Sequence, residues 1–368
     1  MTLDYLGQYW NARTRQVHLL GKGQGVVHDL TPHLPYASLR AAVRERLAGA
    51  PGVALLLEHT PFPTVQAIVQ AEAAGQRLSE LLEPVWARAQ TAGEPLDENA
   101  LDIAPRPEAS HLLACIIPLR AQAFGVTYEN SALEREAEGR KADYRYVYLS
   151  GKRRGERAEI FIKGTRPSHF YGPNGNMGLR SDLTNSEDVA GRSKPRETVL
   201  AGIEPELAAV TYSDGRILGY TLANDTSGNN LENESLLYLF QAKYFAACMG
   251  IGPWLWLSDE QDNPGITFGV DIRDDVGRHM FRADADSRLI GLPLHALVAQ
   301  AASHNPLYPG ELFSTGTNIV PGAEAKVLRP GWRVEIRSDV LGRFRHGAAL
   351  VRAGAGANLD YTALELER

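Results

Sequence analysis

Cysteine is nearly missing from this chain. Two residues in 368, Cys115 and Cys248, cannot build a disulfide framework or a thiolate zinc site. The ten histidines form no HExxH string and no i, i+4 pair, which argues against a histidine metal centre. No apolar run reaches the ~18–20 residues of a membrane span. The opening MTLDYLGQYWNART has neither the basic start nor the apolar stretch of a secretion signal, so a cytoplasmic protein is expected, without a membrane partner. Basic charge is also short. A formal net charge of −6 and a pI near 6.0 give no general grip on phosphate backbones, so nucleic acid is not expected as a partner. The glycine-rich strings at 21–25 (GKGQG) and 172–178 (GPNGNMG) lack the rest of a dinucleotide or P-loop pattern and read as turns.

What is present is a large globular protein. A chain of 368 residues exceeds the ~250–300 at which one core usually stops growing, so two domains are expected. Residues 1–105 read as a small α/β N-terminal domain. Strands are expected at 17–20 and 25–27, a helix at 36–47 from the spacing of Leu39, Ala42, Val43 and Leu47, and a longer helical stretch at 63–88 broken by Gly75 and Pro84. The Pro-, Gly- and acid-rich segment 91–107 reads as a linker. Residues 106–368 then carry strands at 159–163, 208–212, 217–221, 267–272 and 333–336. Long helices are expected only at 233–249 and 289–302, the second starting or kinking at Pro293. Few helices among many turns indicate an antiparallel or mixed β architecture. The polar stretch 181–196 reads as an excursion that buries almost nothing.

One constellation carries chemistry. Asp214-Gly215 between two apolar runs is a strong hairpin signal, and a two-residue turn there sets Ser213 opposite Arg216. Glu204 then lies across from Asp225 and Glu206 across from Ala223, so three carboxylates share one face at the open end of the hairpin. Together they repel, and a hard divalent cation reverses that; an oxygen-only set favours Mg²⁺, Mn²⁺ or Ca²⁺ over zinc. The alternative is that one or two of these acids face solvent. Lys243 sits in an overwhelmingly apolar run and either snorkels to water or points at the carboxylates as a base. Ser314-Thr315-Gly316-Thr317-Asn318 offers N–H and hydroxyl donors to a carboxylate, or is simply a strand-end turn.

At these residues the sequence resembles the fumarylacetoacetate hydrolase family. The shared elements are Glu204-Pro205-Glu206, Asn224-Asp225-Thr226-Ser227, Lys243, Gly252-Pro253 and Thr315-Gly316-Thr317, over roughly the last two-thirds of the chain. The resemblance implies an α+β protein, with a fumarylacetoacetate hydrolase-like mixed β-roll catalytic domain at 106–368. It also implies a divalent cation, usually Mg²⁺, held by Glu204, Glu206 and Asp225, and a homodimer or homotetramer. Hydrolase members carry Tyr-x-x-His; here Tyr128 is followed by Ser131 at the histidine position, which undercuts hydrolysis. Glu159 with Lys163, residues 179–182, 237–243 and 316–322 resemble the 2-keto-3-deoxy-pentonate dehydratase branch instead.

The implied activity is Mg²⁺-dependent dehydration of a 2-keto-3-deoxy sugar acid. Lys243 and Glu159 would move the protons, and Thr317, Gly316, Tyr128 and Lys163 would hold the substrate. The alternatives are C–C hydrolysis of an acylpyruvate or 2,4-diketo sugar acid, and a non-catalytic 2-oxo-acid-binding protein. The resemblance leaves Asn229-Asn230 without a role.

Overall fold

Short apolar strands separated by turn residues build most of the chain. The computed structural model describes residues 2–35, 37, 41, 64–73, 77–137, 145–149, 157–180, 185–187, 193–195, 201–234, 236–322 and 324–351. The first ten strands are β1 (Tyr5–Asn11), β2 (Gln16–Gly23), β3 (Val26–Asp29), β4 (His111–Leu112), β5 (Ala121–Gly125), β6 (Glu159–Gly164), β7 (Phe170–Tyr171), β8 (Asn176–Arg180), β9 (Asn185–Glu187) and β10 (Ser193–Pro195). They are followed by β11 (Pro205–Thr211), β12 (Ile217–Asp225), β13 (Met249–Ile251), β14 (Trp254–Leu257), β15 (Thr267–Arg273), β16 (His279–Asp286), β17 (Glu311–Ser314), β18 (Arg333–Ser338) and β19 (Gly342–Val351). Among the described residues, the α-helices include α1 (Val65–Ala73), α2 (Leu78–Ala92), α3 (Glu98–Leu101), α4 (Glu129–Ala137), α5 (Asn229–Glu234), α6 (Leu239–Lys243) and α7 (Leu294–Ala302).

Among the described residues, twelve strands form one sheet with main path β3-β2-β1-β14-β12-β11-β17-β5-β6, and five form a second, β16-β15-β18-β19-β8. Both faces of β11 are buried. Leu207 and Ala209 join the apolar cluster that includes Phe268, Val270, Ile336 and Phe344 of the second sheet. Ala208 and Val210 join the cluster that holds Leu6, Leu19, Ile68, Val85 and Trp86 of the N-terminal part. A strand covered on both faces reads as a continuous apolar run, which explains AAV at its centre.

The N-terminal strands are hydrogen-bonded into the same sheet. β1 pairs with β14 (Tyr5 opposite Trp256), and β14 pairs with β12 (Trp256 opposite Tyr220). The segment 91–107, read as a linker, is pinned from several sides. Leu96 N–H donates to the Val27 carbonyl, Glu98 bonds both Lys22 Nζ and Trp254 Nε1 at 2.7 Å, and Asp102 pairs with Arg345 at 2.8 Å. Its acids are ligands for basic and indole groups on other elements, which composition alone does not reveal.

Other expectations are adjusted locally. The stretch 233–249 is not one helix: α5, a 3-10 turn at Leu236–Tyr238 and α6 follow one another, and the chain turns extended at Tyr244 toward β13. The helix around Pro293 starts after that proline, which serves as its N-cap. Pro84 does not break α2, whose residues Leu82, Val85, Trp86 and Ala89 are buried around it; the lost backbone bond is outweighed by packing. The helix expected at 36–47 lies outside the described residues, apart from positions 37 and 41. So does most of 181–196, of which 185–187 and 193–195 pair as β9 and β10.

The β11–β12 hairpin reaches the expected register by an unexpected route. Tyr212 pairs with Arg216, Gly215 N–H donates to the Tyr212 carbonyl, and Gly215 has φ +88°, so the loop has three residues with glycine in the left-handed position. That shifts the register by one. A bulge at Leu218 restores it, with Thr211 opposite Ile217 but Val210 opposite Gly219, Glu206 opposite Ala223 and Pro205 opposite Asn224. Gly219 is required where this bulge meets β14, since a Cβ there would lie 2.1 Å from the Trp256 carbonyl oxygen. Gly219→Ala should therefore lose about 1–3 kcal/mol in denaturant unfolding, whereas Gly322→Ala, whose Cβ would meet no atom within 4 Å, should lose nothing.

Candidate active site

The restored register delivers three carboxylates to one place. Asp225 N–H donates to the Glu204 carbonyl at 2.9 Å, so these two residues are opposed just before the start of β11. Glu204, Glu206 and Asp225 each offer an oxygen, all within 4.8 Å of one another. Glu206 and Asp225 are 1% exposed and Glu204 is half-buried. Burial first, then the Asp225 and Glu204 charges, push the Glu206 carboxyl well above the usual carboxylate range. A cluster of hard oxygen donors whose own charges oppose one another fits a divalent cation such as Mg²⁺.

The Ser314–Asn318 string supplies donors, and the carboxylate they serve belongs to the protein. Glu206 accepts the Ser314 hydroxyl and the Gly316 N–H, the latter at 2.8 Å. Thr317 Oγ1 donates to the Pro205 carbonyl at 2.8 Å. Gly316 has φ +88°, and a Cβ there would sit 2.1 Å from Thr127 Oγ1. Only glycine lets this strand end approach the Glu206 carboxylate so closely.

Lys243, at the C-terminal end of α6, points at the cluster. Its Nζ lies 2.7 Å from Glu204 Oε2, 3.3 Å from Asp225 Oδ2 and 2.5 Å from Ser227 Oγ. Lys163, on β6, takes the other side of Asp225, with Nζ 2.5 Å from Oδ1, 2.6 Å from the Thr226 carbonyl and 2.7 Å from the Lys243 carbonyl. It is fully buried.

A cleft opens over these groups. Its lining includes the three carboxylates, Lys243, Glu159, Gly316 and Thr317, which the structure thus brings together. Lys163 and Tyr128, both expected to hold substrate, are fully buried and outside this lining. Lys163 stands behind Asp225 instead. Ser131 and Asn229 do line the cleft, and none of its described lining residues is histidine.

Several supporting residues escape sequence reasoning. Ser227 and Asn224 belong to the quoted motif, but their tasks emerge only in three dimensions. Asn224 Oδ1 accepts the Glu204 N–H, and its Nδ2 donates to Tyr171 Oη at 2.7 Å. Glu232 and Lys326 join the cleft wall with no signal in the sequence. His346, from the last strand, backs Asn224 at 3.4 Å.

Residues 193–348 match the C-terminal domain of fumarylacetoacetate hydrolase, and the chain belongs to that family. It is 34% identical over 236 residues to the 2-dehydro-3-deoxy-D-arabinonate dehydratase of Saccharolobus solfataricus, covering 62% of this chain and 70% of that protein. A probable 2-keto-3-deoxyxylonate dehydratase of Haloferax volcanii is 30% identical over 240 residues, covering 64% and 75%. Among solved structures, a 2-keto-3-deoxy-D-arabinonate dehydratase complexed with magnesium and 2,5-dioxopentanoate has a TM-score of 0.63 at 22% identity, covering 95% of this chain and 100% of that one. That likeness is one of fold, and the α+β, fumarylacetoacetate hydrolase-like architecture expected from the sequence is the one found. No described helix is long and apolar enough to cross a membrane.

Burial lowers the His346 pKa to about 4. The neutral ring donates from Nδ1 to the Gly347 carbonyl and accepts at Nε2 from Asn224. Its folded-state pKa lies below the ordinary 6.5, so its contribution is fully present above pH 6.5 and is lost as pH falls toward 4. His346→Asn should remove this dependence: the stability difference between wild type and variant should shrink by about 1.4 kcal/mol per pH unit across that window in urea titrations.

Proposed function

We propose that this chain is a Mg²⁺-dependent dehydratase of a 2-keto-3-deoxy sugar acid, with a pentonate as the preferred length. The observation that carries the reading is that Lys243 and Glu159 line the same cleft as the three-carboxylate cluster, in a cleft whose described wall has no histidine to activate water. Dehydratases of this substrate class among the family relatives support it.

Glu204, Glu206 and Asp225 would hold the cation. Bound there, it would polarise the substrate's C1 carboxylate and C2 keto group and so acidify the C3–H. Lys243 and Glu159 then divide the proton transfers. One takes the C3 proton, and the other protonates the C4 hydroxyl so that it leaves as water; for a pentonate the resulting 5-hydroxy-2-oxopent-3-enoate then loses a C5 proton and gains one at C3, and the enol so formed tautomerises to 2,5-dioxopentanoate. Lys163 contributes as an internal counter-ion: with no exposure it cannot reach substrate, but it fixes Asp225 and the backbone of Lys243 together. Gly316 contributes its N–H to Glu206, and Thr317 presents the wall of the cleft.

Incubation with 2-keto-3-deoxy-D-xylonate and Mg²⁺ should yield 2,5-dioxopentanoate and no pyruvate, and EDTA should stop it. Glu159→Gln and Lys243→Met should each lower kcat by roughly 10²–10⁴-fold. Pyruvate as the product would favour C–C cleavage instead. Metal-dependent binding of 2-keto acids without any turnover would favour the binding-protein alternative.

A further inference from the structure

Lys243 holds one oxygen of each of two carboxylates in the cluster that could bind a divalent cation. Its Nζ bridges Glu204 Oε2 at 2.7 Å and Asp225 Oδ2 at 3.3 Å, and both residues belong to the cluster gathered within 4.8 Å. Lys163 meets the same Asp225 from the other side, but two carbonyl oxygens hold it and it has no exposure. The two lysines are therefore not equivalent. Lys243 borders the cleft, with the Ser227 hydroxyl at 2.5 Å and the face of Phe161, another cleft residue, 5.5 Å from its Nζ. An ammonium that lets go of Glu204 thus has a hydroxyl and an aromatic face within reach, and both suit a cation.

We propose that Lys243 is an exchangeable counter-ion of the carboxylate site. Its ammonium bridges Glu204 and Asp225 until a divalent cation is loaded, then yields both oxygens and turns into the cleft toward Phe161. This rests on the metal-binding reading of Glu204, Glu206 and Asp225 given above. The exchange follows from competition, since an ammonium and a hard cation cannot both approach the same carboxylate oxygens closely without strong repulsion. It also couples two events: the amine reaches the substrate side of the cleft only in the loaded protein, while Lys163 keeps Asp225 in place throughout.

Manganese titration of the full chain, followed by the spin-resonance signal of free Mn²⁺, tests the exchange. Lys243→Met should bind Mn²⁺ at least about tenfold more tightly than wild type, because the competitor is gone. Equal or weaker binding would overturn the proposal. Reductive methylation of the wild-type protein, read by peptide mass spectrometry, gives a second measure that does not depend on how the variant folds. Lys243 should be labelled several-fold faster with Mg²⁺ than without it, with Lys163 as a buried reference; slower or unchanged labelling counts against exchange. Wild type that shows no saturable Mn²⁺ site sensitive to Glu206→Gln would bring down the metal reading together with the exchange. A saturable site that Lys243→Met leaves unchanged would bring down the exchange alone.

Discussion

Asp225 is gripped from both sides by ammonium groups, Lys163 on one oxygen and Lys243 on the other, and the local structure is arranged around that grip. Taking a carboxylate and an ammonium out of water costs several kcal/mol per ion, and their attraction offsets this only if the remaining hydrogen-bonding capacity is used. Lys163 meets the condition with two backbone carbonyls in addition to Asp225. Those carbonyls belong to Thr226 and Lys243, so one buried cation fixes the end of β12 and the end of α6 at once. The chain cannot continue as a single helix through 233–249 and still place these groups, which accounts for the early stop at Lys243.

The sheet does the rest of the positioning. β11 and β12 are buried on both faces, so a one-residue slip would exchange the residues facing the two apolar clusters. That penalty keeps the register while the turn and the bulge adjust to it. The donors from β17 and the turn beyond it then converge on Glu206, because β17 is the next strand beside β11. N-terminal strands extend the same sheet through β14, and the acidic segment 91–107 binds them to the larger part through Glu98 and Asp102.

The carboxylate face was legible because strand periodicity is short and strict: once Glu206 opposes Ala223, the partners of its neighbours follow. The turn that produces this pairing was not, since a three-residue loop followed by a bulge and a two-residue loop without one lead to the same register beyond Val210. Lys163 illustrates the opposite case. Resemblance to the dehydratase branch marked it as a substrate-holding residue, but neither resemblance nor strand periodicity says whether a charged group beside the cleft faces ligand or turns behind a partner. The Ser314–Asn318 string likewise revealed donors without revealing their acceptor, which is the protein's own Glu206.

The sequence by itself determined the chemistry on offer: three carboxylates on one hairpin face, a lysine in an apolar run and a glycine among hydroxyls. Local periodicity and turn chemistry are sufficient for that, because each depends on residues close in the chain. Only the tertiary structure decided how the charges are shared. Lys163, Asp225 and Lys243 come from separate elements, and Glu206 is satisfied from a strand more than a hundred positions away. Such long-range pairings leave no local pattern, since they are selected by burial and by the need to satisfy every charge removed from water.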